Sequence, residues 1–213
     1  PQPSAEQLAP PPPPRWVFET LPPWERLEEG LQLGLFSAQF DGGDPFEVVF
    51  LRIDPAYFDF TVETASSEKQ SLPLEAWATR KGLIAATNAS MYLPDGVTST
   101  GYLRTGETVN NGRVVSKFGA FFVAGPDSPD LPGADLLDRS TDDWENLLPH
   151  YSMVVQNYRM ISADRRFALE ARRPKHSISA VGRGRHGGHP VHPVPGTDNR
   201  AWTSGRSCLA LAH

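Results

Sequence analysis

The sequence lacks several features that would identify a function at once. Its 213 residues include a single cysteine, which excludes an internal disulfide and leaves the redox compartment open. A net charge of -5, a pI near 5.7 and the absence of a long basic run argue against a nucleic-acid partner. No apolar run approaches the roughly 20 residues that a membrane helix needs, so no membrane span is expected.

Proline, in contrast, is abundant at the start of the chain. Residues 10–14 form an uninterrupted proline run after a polar, alanine-rich beginning. Such a run favours extended polyproline II and acts as a spacer, so we interpret residues 1–15 as a linker. A cleaved signal peptide or lipid anchor upstream fits this start and predicts a periplasmic or secreted protein. The alternative is an arbitrary fragment start.

The hydrophobic pattern predicts more strands than helices. Seven stretches alternate with period two or are short apolar runs, as is typical of strands: 31–36, 46–53, 56–63, 83–87, 118–123, 151–161 and 177–181. One short helix is predicted from Pro73 to Lys81, with Ser71 near its N-cap and Gly82 as its stop, and another opens at 141–143. The predicted class is α+β, a single domain with a mixed, largely antiparallel sheet and a few short helices.

The most informative stretch runs from Asn88 to Leu103, NASMYLPDGVTSTGYL. It follows an apolar run and combines an amide, a Pro-Asp-Gly turn, several hydroxyls and a glycine. This composition is typical of a polar site at a strand end, where side chains and backbone donors converge on a ligand. It contains no nucleophile or metal motif, so it does not identify a reaction by itself.

Distinctive motifs occur along most of the chain: LRIDP (51–55), the helix with Trp77, GLIAATNASMY (82–92), TSTGYL (98–103), FGAFFV (118–123), VVQNYRMI (154–161) and SISAVGR (177–183). In their order and spacing they resemble the phosphodiester glycosidase family, which includes the lysosomal uncovering enzyme and many bacterial envelope proteins. Together they cover roughly residues 24–183.

The resemblance implies cleavage of a sugar from a sugar-1-phosphodiester, with the phosphate-bearing group leaving. A phosphodiester is already a good leaving group. Such an enzyme therefore needs less acid assistance than an ordinary glycosidase and more stabilisation of a cationic sugar and an anionic phosphate. The expected partner is a glycan or sugar-phosphate substrate, and no cofactor is implied.

The resemblance and the residue chemistry together give a set of candidate site residues. Asp95 is the candidate general acid or base, and Asn88 is placed with it as a catalytic residue that orients sugar hydroxyls or phosphate oxygens. Arg159 is expected to pair with the phosphate as a bidentate cation. The full substrate-binding set is Gln156, Arg159, Ser99, Thr100 and Ser177.

Several of these residues also fit a structural role. Asn88 suits an amide that bonds backbone at a strand end, and Asn88-Ala89-Ser90 spells a glycosylation acceptor, although a poor one after a buried strand. Other motifs are typical of turns or of a solvated strand face: Asp95-Gly96, Asn110-Asn111-Gly112 and Arg159.

The chain departs from the family at two places. Many members carry an Arg-Thr pair where this chain has His176-Ser177. After Arg183 the family continues with a strand, a helix and an acidic-Gly-Gly segment, whereas this chain changes composition abruptly. Three histidines in that region lie among Gly and Pro, with no rigid element to present them to a metal, so no metal site is predicted. They are His186, His189 and His192.

A frameshift would explain the C-terminal change in composition. A one-base shift from Gly188 permits, within codon degeneracy, a strand, a turn and an amphipathic helix, the elements that the family has next. We therefore expect residues 184–213 to be an aberrant, disordered tail and residues 16–183 to be an incomplete phosphodiester-glycosidase-like domain. Such a chain would be an inactive hydrolase, because two-carboxylate chemistry would lack its acidic half. The alternative is a noncatalytic cell-envelope module that binds polysaccharide or protein.

Overall fold

The structure, a computed structural model, describes residues 16–19, 24–40, 43–65, 72–161, 180–183 and 207–212. The chain divides into two compact units, Pro1–Arg52 and Ile53–His213. The prediction of one domain over residues 16–183, preceded by a linker, stays a prediction.

The first unit is built around one long strand. Its strands are β1 (Trp16–Glu19), β2 (Glu25–Glu28), β3 (Leu31–Phe40) and β4 (Phe46–Ile53), the last of which ends one residue into the second unit. β1 and β2 pair antiparallel with opposite ends of β3, and β4 pairs with β3 as well. The sheet therefore depends on β3, because each of the other three strands pairs with it.

Aromatic side chains pack on this sheet. The Phe36 ring lies 4.8 Å from the Phe50 ring and 5.8 Å from the Trp24 ring, in edge-to-face geometry. The Arg52 guanidinium lies over Trp24 at 4.2 Å. Gly34 is required here, because a Cβ at this position would approach Trp24 and Phe36 side-chain atoms to 2.9 Å.

The second unit contains eight strands and two short helices among its described residues. In chain order they are β5 (Asp59–Thr64), α1 (Leu74–Lys81), β6 (Ala85–Asn88), β7 (Leu103–Thr105), β8 (Thr108–Asn111), β9 (Ala120–Pro126), β10 (Ala134–Asp138), α2 (Trp144–Leu147), β11 (Tyr151–Asn157) and β12 (Ser207–Ala212). A 3-10 turn, Leu148–His150, links α2 to β11.

Five of these strands form one antiparallel sheet in the order β10-β9-β11-β7-β8. Because side chains alternate along a strand, β9 sends Phe121 and Val123 to one apolar cluster and Phe122 and Ala124 to the other. The first cluster includes Leu148 and Trp144, and the second includes β5 residues. The sheet is therefore buried on both faces and forms the core of this unit.

The remaining strands form a three-stranded antiparallel sheet in the order β5-β12-β6. Leu209 at the centre of β12 is paired with Val62 on one side and Thr87 on the other. The middle strand of this sheet thus comes from residues 207–212. The expectation of a tail without structure does not describe these six residues, which are uncharged and free of Gly and Pro. The rest of 184–213 lies outside the described residues.

Most of the strands and helices predicted from the sequence are present in the structure, although some of their ends differ. The described chain consists mainly of antiparallel sheets with two short helices, in agreement with an α+β or mostly-β class. The strand over 46–53 coincides with β4, and the stretch 31–36 lies within the longer β3. Helix α1 ends as predicted at Gly82, which has a φ of 65° and whose backbone amide donates to carbonyls of the last helical turn. Ser71 lies outside the described residues, and the N-cap is Pro73.

Other boundaries were wrong for local reasons. The strand expected from residue 56 begins at Asp59, because the Asp54 carboxylate accepts from the Ala56 amide at 3.0 Å and forms a turn. Among residues 177–181, only Ala180 and Val181 are described, and neither is in a strand.

No helix in the described parts of the chain is long and apolar enough to cross a membrane.

Gly101 tests how tightly the centre of the second unit is packed. A Cβ at this position would lie 2.8 Å from Phe118 Cδ2 and 2.9 Å from the backbone oxygen of Gln156. We expect Gly101→Ala to lower the free energy of unfolding by about 1 to 3 kcal/mol, because a buried backbone atom must move. Urea denaturation measures the change.

Gly112→Ala is the matched control, since a Cβ there meets only Val109 Cγ1, at 3.6 Å. Equal stability of the two variants would contradict the close packing at Gly101.

Candidate functional site

The stretch that follows β6 forms a short hairpin. Tyr92 and Ser99 form an antiparallel bridge, and the Leu93 amide donates to the Thr98 carbonyl at 2.8 Å. At the tip, Gly96 has a φ of 73°, a conformation that favours glycine, and its amide donates to the Leu93 carbonyl. The Pro-Asp-Gly turn expected from the sequence is therefore the tip of this hairpin.

Asp95 closes the hairpin tip. Its Oδ1 accepts from the Val97 and Thr98 amides at 3.0 and 2.9 Å, and its Oδ2 accepts from Thr98 Oγ1 at 2.5 Å. The Thr98 hydroxyl, then the Thr98 and Val97 amides, hold the pKa of Asp95 below its ordinary value. The carboxyl is thus kept ionised, which is unfavourable for a general acid. The catalytic role of Asp95 stays a prediction.

Two buried serine hydroxyls lie at the base of the hairpin. Ser90 Oγ and Ser99 Oγ are 2.6 Å apart, Ser90 Oγ donates to the Met91 carbonyl, and Ser99 Oγ accepts from the Gly101 amide. Since Ser90 uses its proton on Met91, Ser99 donates to Ser90. Ser99, predicted to bind substrate, is therefore fully buried and bonded to its own loop.

Two asparagines that were predicted to lie in a turn form hydrogen bonds to the backbone of the hairpin. They end β8: Asn110 Oδ1 accepts from the Ser99 amide at 2.7 Å and its Nδ2 donates to the Val97 carbonyl at 3.1 Å. Asn111 Nδ2 donates to the Ser99 carbonyl at 2.6 Å. The sequence could not predict that these asparagines bind the 92–99 hairpin, because the hydrogen-bonded residues are 11 to 13 positions apart.

Gln156 makes the most complete side-chain contacts of the site. Its Oε1 accepts from the Tyr102 and Val115 amides at 3.2 and 2.9 Å, and its Nε2 donates to the Val115 and Phe118 carbonyls at 2.9 and 3.0 Å. The side chain is fully buried. All four hydrogen-bonding positions of the amide are used, so none is left for a substrate.

Asn157, which the sequence analysis did not single out, connects the hairpin to the five-stranded sheet. Its Nδ2 donates to the Ala89 carbonyl at 3.2 Å, at the first residue after β6. Asn88 is therefore one residue from this bond, and Arg159 is two residues beyond it along the other chain segment. The segments containing Asn88, Ser99 and Arg159 thus meet in one region of the second unit.

Asn88 and Thr100 are the candidate residues whose polar groups are not used by the scaffold. Asn88 is exposed at the end of β6, and its side chain has no hydrogen bond among the described residues. Thr100 Oγ1 is buried and lacks a partner in the same set. A buried hydroxyl without a partner is uncommon and costs free energy unless a ligand or water satisfies it.

Arg159 is bound to an acidic partner. Its Nη1 lies 2.6 and 2.7 Å from the two oxygens of Asp138 and 2.5 Å from Ser140 Oγ. Burial tends to raise the pKa of Asp138, but the bonds from Arg159 and Ser140 outweigh it and lower the pKa overall. The guanidinium is also partly buried, with its Nε unpartnered. Arg159 is thus neither a solvated cation nor a free one.

Glycine at position 119 makes room for this arginine. A Cβ there would lie 3.0 Å from Arg159 Cβ and 3.6 Å from its Nε. The neighbouring Arg139 points its Nη1 at carbonyls of the loop that Gln156 also holds, including Ser116 O at 2.9 Å. The loop 115–118 is therefore held by an amide and a guanidinium.

The outcome for the predicted residues is mixed. The structure brings the segments of Asn88, Ser99, Thr100, Gln156 and Arg159 together, and Ser177 lies outside the described residues. Within the described parts, no group of three or more His, Cys, Asp or Glu side chains is arranged to hold a metal ion. The available chemistry is an exposed amide, an unpartnered hydroxyl and a guanidinium shared with a carboxylate, which suits hydrogen bonding to polar oxygens.

The Gln156 amide gives a stability prediction. Gln156→Leu keeps the size of the side chain but leaves the partly buried amides of Tyr102 and Val115 without an acceptor. We expect the free energy of unfolding to fall by about 3 kcal/mol or more, measured by urea denaturation.

Gln39→Leu serves as the control for the same chemical change, because Gln39 makes a single exposed bond, to the Gly43 carbonyl. That variant is expected to stay within about 0.5 kcal/mol of the parent chain. A similarly small effect at position 156 would contradict the scaffold role of the amide.

The Asp138 pair gives a pH prediction. Because the folded-state pKa of Asp138 lies below its ordinary value of 3.8, its stabilising effect is present above that value and is lost as pH falls through the lowered pKa. We expect Asp138→Asn to be less stable than the parent chain at neutral pH and to approach it as the pH falls well below 3.8. Urea denaturation across this pH range measures the difference, with exposed Asp130→Asn as control. A difference that does not change with pH would contradict it.

No model of a known protein family matches the chain, and no curated protein matches it. The resemblance to phosphodiester glycosidases therefore rests on the motifs of the sequence and stays a prediction.

Proposed function

We propose that this chain is a phosphodiester glycosidase-like hydrolase domain, residues 16–183, that recognises a sugar-1-phosphodiester but does not cleave it in its present form. The observation that supports the proposal is the meeting of three motif segments. The stretch ending at Asn88, the TSTGYL stretch and the QNYR stretch are far apart in sequence and are joined by the Ser90 to Ser99 and Ala89 to Asn157 hydrogen bonds.

The residues divide between binding and support in this proposal. Asn88 is exposed and offers an amide that can both donate to a phosphate oxygen and accept from a sugar hydroxyl. Thr100 Oγ1 is a second unpartnered group, but it is buried, so a ligand can bond to it only after the loop moves. Ser99 and Gln156 support the loop rather than contact the substrate, because their hydrogen bonds are already made.

Arg159 would contact the phosphate directly, in an orientation that Asp138 fixes. Its Nη1 is used by the aspartate, so the guanidinium is oriented while its Nη2 makes no hydrogen bond within the described residues. A fixed guanidinium loses less conformational entropy on binding an anion than a free one does. Its charge is partly neutralised by Asp138, so the phosphate interaction is weaker than with an unpaired arginine.

The lack of turnover follows from the carboxylates. A glycosidase uses a pair of them, one of which is commonly protonated. Asp95 and Asp138 both have lowered pKa values, so both are ionised. An ionised Asp95 can stabilise positive charge on a sugar, and a phosphodiester leaves without strong acid help, but residues 184–213 do not contain the acidic-Gly-Gly segment with which the family completes its site.

A noncatalytic envelope module that binds polysaccharide is the second candidate. The observation that favours it is the extent to which the loop's polar groups bond one another, since a rigid loop with few free groups suits binding better than proton transfer. Either function fits the periplasmic or secreted location that we propose for this chain.

Titration with hexose 1-phosphate methyl diesters tests the proposal. We expect calorimetry to detect binding to the full chain and product analysis to detect no hydrolysis. Asn88→Ala should weaken the affinity about tenfold or more, since it removes hydrogen bonds to a charged ligand. Asn146→Ala, an exposed asparagine bonded to Asp143, is the matched control.

The outcomes separate the two candidates. Hydrolysis by the full chain would contradict the proposed inactivity while supporting the reaction class. Binding of neutral polysaccharide with no preference for the phosphodiester would favour the binding module. Binding unaffected by Asn88→Ala would place the ligand elsewhere.

A further inference from the structure

The three-stranded sheet has an unusual dependence on its middle strand. β12 pairs with β5 from Ser207 opposite Thr64 to Ala212 opposite Asp59, and with β6 from Cys208 opposite Asn88 to Leu211 opposite Ala85. Among the described strands, β6 pairs only with β12. Without β12, the facing edges of β5 and β6 would both carry unpaired backbone groups.

We propose that the space between β5 and β6 is a binding site for an extended peptide strand. Ser207–Ala212 fills it within the same chain, and the matching segment of a second copy fills it when that strand leaves. This inference does not rest on the proposed hydrolase function.

The ladder geometry makes this site favourable. A strand added to a sheet edge usually gains backbone hydrogen bonds on one side, whereas a strand in this space gains them on both. The segment SCLALA has no charge, glycine or proline, the residue types that weaken strand pairing. A second copy offers the same pattern in the same register.

The chain length allows the strand to leave. Residues 184–206 separate the described Arg183 from Ser207, and 23 residues can span up to about 75 Å when extended. A connection of only a few residues would keep β12 between β5 and β6, whereas a connection of 23 residues allows it to move away. The five-stranded sheet does not need β12 for its pairing, because its order β10-β9-β11-β7-β8 is complete without it.

β12 also affects the position of Asn88, a candidate site residue. Asn88 is the last residue of β6 and is paired with Cys208, so an empty space would release β6 from the sheet and leave the Asn157 bond to Ala89 as a remaining attachment. Occupancy of the space would therefore set the position of Asn88, whatever ligand the amide binds.

The test uses the full chain with Leu209→Pro. Proline removes a backbone donor at the centre of the ladder and should displace the strand, while His213→Pro, one residue beyond β12, is the control. The probe is a fluorescein-labelled peptide of residues 204–213. We expect it to bind Leu209→Pro at least about tenfold more tightly than the parent chain, whose tethered strand competes at millimolar effective concentration.

Hydrogen exchange gives the second measurement. In Leu209→Pro, the amides of Ala85–Asn88 should exchange faster and regain protection when peptide is added, while those of β9 and β11 stay protected. Loss of protection throughout the second unit would overturn the proposal, because a removable strand must leave the five-stranded sheet intact. Failure of the peptide to bind Leu209→Pro would overturn it as well.

Light scattering tests the second copy as the occupant. The parent chain should form dimers as its concentration approaches about 1 mM, the scale set by the tether, and Leu209→Pro should not. A parent chain that remains monomeric there, or a Leu209→Pro variant that dimerises equally, would overturn exchange between copies.

Discussion

The buried amide of Gln156 is the interaction on which the second unit depends. From the central strand β11 it reaches the backbone just before β7 and both ends of the loop 115–118, and all four of its hydrogen-bonding positions are used. An apolar side chain would fill the space but leave those backbone groups without partners. The same loop is held by Arg139, so its position is fixed by two side chains with different chemistry.

Polar residues in this region therefore serve two purposes. Asp95, Ser99, Asn110 and Asn111 satisfy the backbone of a hairpin that has no regular ladder of its own. What remains for a ligand is the exposed amide of Asn88, the unpartnered hydroxyl of Thr100 and the guanidinium of Arg159, already oriented by Asp138. The hydrogen bonds that hold the loop also limit the number of groups that a substrate can contact.

Much of the fold was predictable where apolar periodicity is strong and local. The strand over 46–53 and the helix stop at Gly82 follow from alternation and from left-handed glycine, which act over a few residues. The late start of β5 was not predictable from periodicity, because the side chain of Asp54 competes with the strand for a backbone amide. The strand at 207–212 was missed because its surroundings in sequence indicate a tail, whereas its partners lie more than 100 residues away.

The sequence by itself determined which segments are polar, which are apolar and where the chain turns, and these were enough to single out Asn88 to Leu103. Only the tertiary structure decided what each polar group does. Gln156 lies within one predicted strand and Asn88 directly follows another, yet the first amide is fully buried with every hydrogen bond made and the second is exposed. The physical reason is that hydrogen-bond satisfaction depends on partners brought together by folding, which for Gln156 are 38 to 54 residues away.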